Sequence, residues 1–128
     1  MFLDSNIIIY STKPEYPDIT LFVGRHGKSA SAISYAETLG FHRLPAQEKQ
    51  ALEVLFTKLI LLPVTQDVIE QATQLRQQKK MSLGDAIIAA TCLVYNETLA
   101  TRNTADFDWV AGLALYNPFD RAAQIPGV

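Results

Sequence analysis

The sequence predicts an α/β sandwich in which helices flank a mainly parallel central sheet. Short apolar runs typical of buried strands alternate along the chain with longer segments of helical periodicity. Such alternation is typical of βα units, whose strands lie parallel in one sheet. With 128 residues, 48% of them hydrophobic and 19% charged, the chain is predicted to form a single domain over residues 1–128.

The first part of the chain contains two short strands, and a helix follows each of them. Phe2–Leu3 is predicted to be a buried strand that turns into a helix at Asp4–Asn6. Ala30–Ile33 is predicted to be the second strand. It leads into a helix over Tyr35–Leu39, which ends at Gly40.

The middle of the chain predicts a helix, a strand and a further helix. Over Gln47–Lys58 the apolar residues fall on one helical face, and Leu59–Val64 then reads as a buried strand. Thr65 is expected to cap the next helix, which ends in a polar stretch at residues 77–80. The apolar face of that helix consists of Val68, Ile69, Ala72 and Leu75.

The last part of the chain predicts a central helix and two more strands. The helix over Ser82–Val94 is apolar nearly all round, so we expect it to be buried. Thr98–Thr101 and Leu113–Tyr116 are the candidate strands, with a short helix near Asp106–Val110 between them.

Composition excludes several kinds of protein. The single cysteine, Cys92, rules out an internal disulfide and a thiolate-rich zinc site. No apolar run is long enough to span a membrane, and no basic segment of a secretory signal is evident, so we expect a cytoplasmic protein. The net charge of −2 is unlike that of proteins that grip long duplex DNA, which are normally basic. It does not exclude a nucleic-acid enzyme, because metal ions can offset the charge of a carboxylate pocket.

Four acidic residues follow strands or begin helices along the predicted sheet: Asp4, Glu37, Asp85 and Asp106. Ligands of open α/β sheets sit outside the carboxyl ends of the strands, so we expect these side chains at one edge. Clustered carboxylates resist ionisation unless a cation joins them. An oxygen-rich site of this kind suits Mg²⁺ or Mn²⁺, which could activate water for attack on a phosphoryl group.

Each acid also has a structural explanation. Ser34–Glu37 and Ser82–Asp85 both have the spacing of a capping box, in which the acid satisfies amides at a helix N-terminus. Asp4 and Asp106 could each stabilise the start of a helix. The joint pattern favours a site, because four independent caps need not all fall at the same edge of a sheet.

Five segments, in order along the chain, resemble the motifs of PIN domains. They are Leu3–Tyr10, Ser31–Glu37, Ser82–Thr91, Leu99–Phe107 and Leu113–Phe119, the last resembling the end of VapC-type bacterial toxins. The resemblance implies a PIN-like three-layer sandwich. Many relatives carry an acid where this chain has Asn103, which leaves open whether Asn103 or Asp106 makes the closer metal contact.

The same resemblance implies an endoribonuclease that uses Mg²⁺ or Mn²⁺, forms a homodimer and is inhibited by a small antitoxin. It implies that Asp4 and Asp85 are the tightest metal ligands, that Glu37 and Asp106 act partly through water, and that Asn6 supports the site. Whether one or two ions bind is left open.

Several further residues are expected around the carboxylates. Thr101 is expected to hydrogen-bond a carboxylate or a water molecule, with Asn103 close by. Lys79, Lys80 and Arg102 are candidates for contacts with RNA phosphates, although a solvated helix end would also explain the two lysines. Trp109 could stack on a base, but packing in the core or at a dimer interface is the expected role.

Other functions are compatible with parts of this pattern. One is a PIN nuclease with a housekeeping role in RNA processing, and another is a non-catalytic PIN module that only binds a partner. The four acids argue against the second. A phosphatase with an aspartyl nucleophile would carry a second Asp two residues after the first, where this chain has Asn6.

Overall fold

The computed structural model describes residues 1–120, and within them five strands form one sheet. The strands are β1 (Phe2–Leu3), β2 (Ser29–Ser31), β3 (Ile60–Leu62), β4 (Leu99–Ala100) and β5 (Leu115–Tyr116). The helices are α1 (Ser5–Ser11), α2 (Pro17–His26), α3 (Ala32–Leu39), α4 (Ala46–Lys58), α5 (Gln66–Gln78) and α6 (Leu83–Tyr95), with a 3₁₀ turn over Thr104–Asp106. The predicted domain runs to residue 128, and its last residues, 121–128, lie outside the described part of the chain.

The sheet is parallel throughout, with strand order β3-β2-β1-β4-β5. The chain adds β2 and then β3 on one side of β1, and afterwards returns to place β4 on the other side. The order therefore reverses between β1 and β4. In α/β sheets this switch point opens a crevice at the carboxyl ends of the strands.

A separate hydrophobic core lies on each face of the sheet. Because successive side chains of a strand point to opposite faces, Phe2 and Leu99 pack with α5 and α6, whereas Leu3 and Ala100 pack with α1, α2 and α4. The sheet is thus the middle layer of three, which confirms the predicted α/β sandwich.

Local capping explains where three of the helices begin. The Ser31 hydroxyl accepts a hydrogen bond from the Ile33 N–H, and the Thr65 hydroxyl accepts one from the Val68 N–H. Ser82 caps α6 in the same way. The residues of α6 from 86 to 92 are all buried, as its nearly continuous apolar surface predicts.

The structure differs from the sequence-based expectation in three elements. Helix α2 is not predicted, because it presents only a short apolar face between polar and exposed positions. The segment at Leu59–Val64 is not a buried strand: β3 lies at the edge of the sheet and Ile60 is 65% exposed. The short helix expected at Asp106–Val110 is instead a 3₁₀ turn over Thr104–Asp106.

None of the helices described within residues 1–120 has the length and apolar character needed to cross a bilayer.

Candidate active site

Asp4 lies at the switch point of the sheet, directly after β1. Its carboxylate Oδ2 accepts a hydrogen bond of 2.8 Å from the Thr101 hydroxyl, which directly follows β4. The Thr101 oxygen in turn accepts a bond of 3.1 Å from the backbone N–H of Asn103. Asp4 holds the N-cap position of α1, yet its side chain makes no capping bond. A capping role therefore does not explain this carboxylate.

A buried pair of serines brings the segment of Asp4 next to helix α3. The hydroxyls of Ser5 and Ser34 lie 2.8 Å apart and share a hydrogen bond. Ser34 is an internal residue of α3, whose cap is Ser31, so the capping box predicted at Ser34–Glu37 is wrong. Without that role, the carboxylate of Glu37 extends from the exposed side of α3.

Glu37 faces the first turn of α6. A methyl group added at Gly84 would lie 3.8 Å from Glu37 Oε1, so the carboxylate approaches the helix backbone directly beside Asp85. The Asp85 N–H donates to the Ser82 hydroxyl at 3.1 Å, so the serine half of the capping box predicted for this pair forms. Asp85 therefore sits at a helix N-terminus and also faces another acid.

Burial and mutual repulsion raise the pKa values of three of these carboxyls. For Asp4, burial is the largest cause, the hydrogen bond from Thr101 opposes it, and the charge of Asp85 adds to it. Burial and the charge of Asp85 raise the pKa of Glu37. The pKa of Asp85 is raised by burial and by the charge of Asp106, while a hydrogen bond between its carboxyl group and the Ser82 side chain lowers it.

These couplings join all four predicted acids into one electrostatic group, which we call the acid cluster: Asp4, Glu37, Asp85 and Asp106. Asp4 is 6% exposed, whereas Asp106 is exposed on the 3₁₀ turn. Across the described residues, no Lys or Arg forms an ion pair with any member of the cluster. Within residues 1–120, therefore, no ion pair neutralises this negative charge.

The donor set of the cluster fits a hard divalent cation, because every candidate ligand is a carboxylate oxygen. No three Asp, Glu, His or Cys side chains of residues 1–120 converge into a ready metal-binding group. An ion such as Mg²⁺ keeps several water ligands and often binds through one or two carboxylates, so it would not need all four acids as direct ligands.

Most of the other predicted site residues lie around the cluster, in different environments. Asn6 is exposed at the start of α1, and Asn103 is exposed just before the 3₁₀ turn. The Arg102 guanidinium lies over two aromatic rings, 5.3 Å from the centroid of Tyr10 and 4.3 Å from that of Phe119. Such stacking restricts the direction in which the cation can point.

The two predicted lysines line a cavity of about 600 Å³ that also contains Asp85 and Asp106. Arg76 lines the same cavity and is not among the residues predicted from the sequence, and Trp109, expected to serve in packing, lines it as well. The bond between Ser5 and Ser34 is also unpredicted. Small polar residues two or three positions beyond a buried strand are the signal by which those serines could have been found.

Comparison with known proteins agrees with the fold. A family model described as PIN domain matches residues 1–113. The chain is similar to a protein in the toxin-antitoxin complex from Klebsiella pneumoniae, with 26% identity, a TM-score of 0.74, and coverage of 91% of this chain and 96% of that one. It is also similar to a chain of FitAcB from Neisseria gonorrhoeae, with 27% identity, a TM-score of 0.72, and coverage of 92% and 97%.

A chain of VapBC-1 from nontypeable Haemophilus influenzae shares the fold at 24% identity, with a TM-score of 0.76 and coverage of 93% and 98%. No curated protein is similar enough in sequence to count as a match. Because the family model spans nearly all of the described residues, the chain belongs to the PIN domain family.

Proposed function

We propose that this chain is a metal-dependent endoribonuclease that cleaves phosphodiester bonds of RNA, and that it acts as the toxin of a toxin–antitoxin pair. The observation that carries the proposal is the acid cluster: four electrostatically coupled carboxylates, of which Asp4 lies at the switch point of a PIN fold, with no cation of the described residues paired to them. Retaining so much unneutralised charge is costly unless a ligand of opposite charge binds.

In this proposal Asp4 and Asp85 hold the ion directly, and Glu37 and Asp106 contribute partly through water. Mg²⁺ or Mn²⁺ is the proposed ion, since the donors are all oxygens. When bound, such an ion supplies an activated water and stabilises charge on the phosphoryl group. Raised pKa values are expected for Asp4 and Asp85 if their ionised forms are stabilised only when a cation binds.

Thr101 is proposed to be a positioning residue. Its hydroxyl donates to Asp4 Oδ2, which orients the carboxylate and opposes the effect of burial on the Asp4 pKa. The backbone N–H of Asn103 holds that hydroxyl in turn. Asn6 remains a proposed supporting residue from the family resemblance alone.

The substrate proposal is RNA whose phosphates meet cations at the rim of the site. Lys79 and Lys80 share a cavity with Asp85, and Arg102 directly follows Thr101. Cations at the rim would attract a polyanion that the acid cluster alone would repel.

The regulatory part of the proposal is a small antitoxin that inhibits the chain, together with homodimerisation. The antitoxin is supported by the similarity to a protein from a toxin-antitoxin complex at 26% identity across 91% of this chain, whereas homodimerisation rests on the family resemblance alone. A short neighbouring reading frame whose product relieves growth arrest caused by this chain would support the toxin role. A gene that stands alone and can be expressed without growth arrest would favour housekeeping RNA processing.

Removal of the metal tests the enzymatic part. Purified protein should cleave single-stranded RNA in Mg²⁺ or Mn²⁺, lose activity in excess chelator and regain it when either ion is restored, with no requirement for Zn²⁺. The Asp4→Asn variant, purified in parallel, detects contaminating nuclease. Full cleavage in chelator by the parent protein, with none by the variant, would contradict the metal mechanism. Absence of cleavage under every condition would favour a binding module.

A further inference from the structure

A cavity of about 600 Å³ next to the acid cluster carries both signs of charge and an aromatic ring. The residues that matter for its chemistry are Arg76, Lys79, Lys80, Asp85, Asp106 and Trp109. Its volume is in the range of pockets that hold small organic ligands. We name it the rim cavity.

The cations of the rim cavity do not neutralise its acids. Across the described residues, neither Lys79 nor Lys80 forms an ion pair, although Asp85 and Asp106 line the same space. The Arg76 side chain is turned to the carbonyl oxygen of Met81, to which its Nε donates at 3.3 Å. Because these opposite charges do not pair with each other, the lysines can bind an anionic ligand while the acids bind the metal ion that accompanies it.

The aromatic ring of the rim cavity has a fixed position. The indole Nε1 of Trp109 donates a hydrogen bond of 3.0 Å to the backbone oxygen of Asp106, so the ring is tied to the segment that carries an acid. Trp109 is half-buried, and it packs against the core without being enclosed by it. The ammonium of Lys79 lies over the indole, 5.7 Å from a ring centroid.

We propose that the rim cavity is a nucleotide subsite, in which Trp109 stacks on one unpaired base of the RNA while Lys79 and Lys80 contact the flanking phosphates. The proposal rests on the proposed ribonuclease function, and adds that the enzyme selects single-stranded RNA with a base splayed out of its stack. Bases within a duplex are stacked and paired, so none could reach the indole without unpairing.

Replacing Lys79 by an RNA base on the indole of Trp109 should cost little free energy. An exposed cation over an aromatic ring contributes less than a base stacked on the same ring. An incoming phosphate would draw the ammonium of Lys79 away from the indole and leave that face for the base. The lysine and the tryptophan thus act on two adjacent parts of one nucleotide.

Tryptophan fluorescence tests the stacking directly, since Trp109 is the only tryptophan of the chain. The Asp4→Asn variant in Mg²⁺ serves as the background, so that the RNA stays intact. Titration with single-stranded RNA should quench the fluorescence saturably. Duplex RNA and inorganic polyphosphate offer no accessible base, so most of the Trp109 fluorescence should remain when either is added. Saturable binding of single-stranded RNA with unchanged Trp109 fluorescence would overturn the subsite.

Binding measurements on variants in the same background separate the two kinds of contact. With a labelled RNA of about ten nucleotides, Trp109→Leu should weaken binding about tenfold and leave its salt dependence unchanged, whereas Trp109→Phe should retain most of the affinity. The double change Lys79→Gln and Lys80→Gln should lower the slope of log affinity against log salt by about 0.7 for each phosphate that is no longer neutralised.

A matched control removes two lysines at the opposite, amino edge of the sheet. Lys28 precedes β2 and Lys58 precedes β3, so Lys28→Gln with Lys58→Gln changes the net charge equally without touching the rim cavity. If the control lowers the salt slope as much as the Lys79 and Lys80 pair, the subsite is wrong although the ribonuclease proposal stands. If the parent protein neither binds nor cleaves RNA, both proposals fail together.

Discussion

The two ends of the acid cluster are held in very different ways. At the inner end, Asp4 and Thr101 follow the two central strands, are 6% and 0% exposed, and are joined by a hydrogen bond. At the outer end, Asp106 is exposed on a single 3₁₀ turn beside the half-buried ring of Trp109. The inner end is part of the core, whereas the outer end belongs to a surface loop.

This difference indicates that the two ends have different roles in the proposed reaction. A buried carboxylate with a fixed partner has few orientations, which is what the geometry of a catalytic group requires. An exposed carboxylate on a loop can adjust to the substrate, and loops commonly carry binding residues. We expect the inner end to determine the rate of cleavage and the outer end to influence which RNA is cleaved.

The largest expected effect is the loss of cleavage in Asp4→Asn or Asp85→Asn. If Asp4 and Asp85 are direct ligands, as proposed, removing either should cost several kcal/mol of charge stabilisation in the transition state, which corresponds to about a thousandfold in rate. Asp106→Asn should cost about tenfold, because a ligand acting through water is easier to replace. Initial rates on one RNA measure all three.

Circular dichroism and thermal melting of each variant provide the control. The Asn variants should be folded, and without metal as stable as the parent or more so, because mutual repulsion is reduced. A purely capping role for Asp85 predicts the reverse: retained cleavage and a loss of about 1 kcal/mol in the free energy of unfolding. A larger loss of rate for Asp106→Asn than for Asp4→Asn would mean that the outer end, and not the inner end, determines the rate of cleavage.

A smaller effect is expected when the partner of Asp4 is removed. Thr101→Val keeps the side-chain volume and deletes the hydroxyl that donates to Asp4 Oδ2, so we expect a fall of about 10- to 100-fold in kcat/KM. Because that bond lowers the Asp4 pKa, the acidic limb of the pH–rate profile should move to higher pH. Profiles of kcat and kcat/KM measure both changes.

Thr101→Ser and Thr98→Val are the matched variants. Thr101→Ser retains the donor and should recover most of the activity, whereas Thr98→Val alters a threonine just before the same strand, at the opposite edge of the sheet. Equal losses in Thr101→Ser and Thr101→Val would mean that the methyl group matters and the hydroxyl does not.

The smallest expected effect is on the pH dependence of stability. In the metal-free protein the pKa values of Asp4, Glu37 and Asp85 are raised above their ordinary values. The native state then binds protons more tightly than the unfolded chain, so this contribution stabilises the fold at low pH and is lost as the pH rises through the raised pKa values. In thermal melts with chelator, the stability contributed by these carboxyls should therefore decline as the pH is raised from about 4 to about 8.

Asp85→Asn should reduce that decline in stability, because it removes one carboxyl with a raised pKa and also removes the charge that raises the pKa values of Asp4 and Glu37. Mg²⁺ should offset it in the parent protein, because binding to the native state stabilises that state. A decline of the same size in parent and variant would mean that the repulsion arises elsewhere on the surface.

Local chemistry made much of this molecule predictable. The apolar periodicity of α4, α5 and α6 and the caps at Thr65 and Ser82 depend on residues within a few positions of each other, so the sequence displays them directly. The same holds for Asp4 directly after β1 and for Asp85 in the first turn of α6, whereas Glu37 lies well inside α3. Helix α2 and the exposure of Ile60 were missed because burial depends on which elements lie opposite, and periodicity does not contain that information.

The sequence by itself determined the fold class, the order of the elements apart from α2, and the four acidic residues proposed for the site. The hydrogen bond predicted from Thr101 to a carboxylate is confirmed, but only the tertiary structure decided that its partner would be Asp4, 97 residues away. The tertiary structure also decided that Ser34 would bond Ser5 instead of capping a helix. The physical reason is the return of the chain across β1 to form β4. That crossover sets the strand order, and no residue near Asp4 in the sequence specifies it.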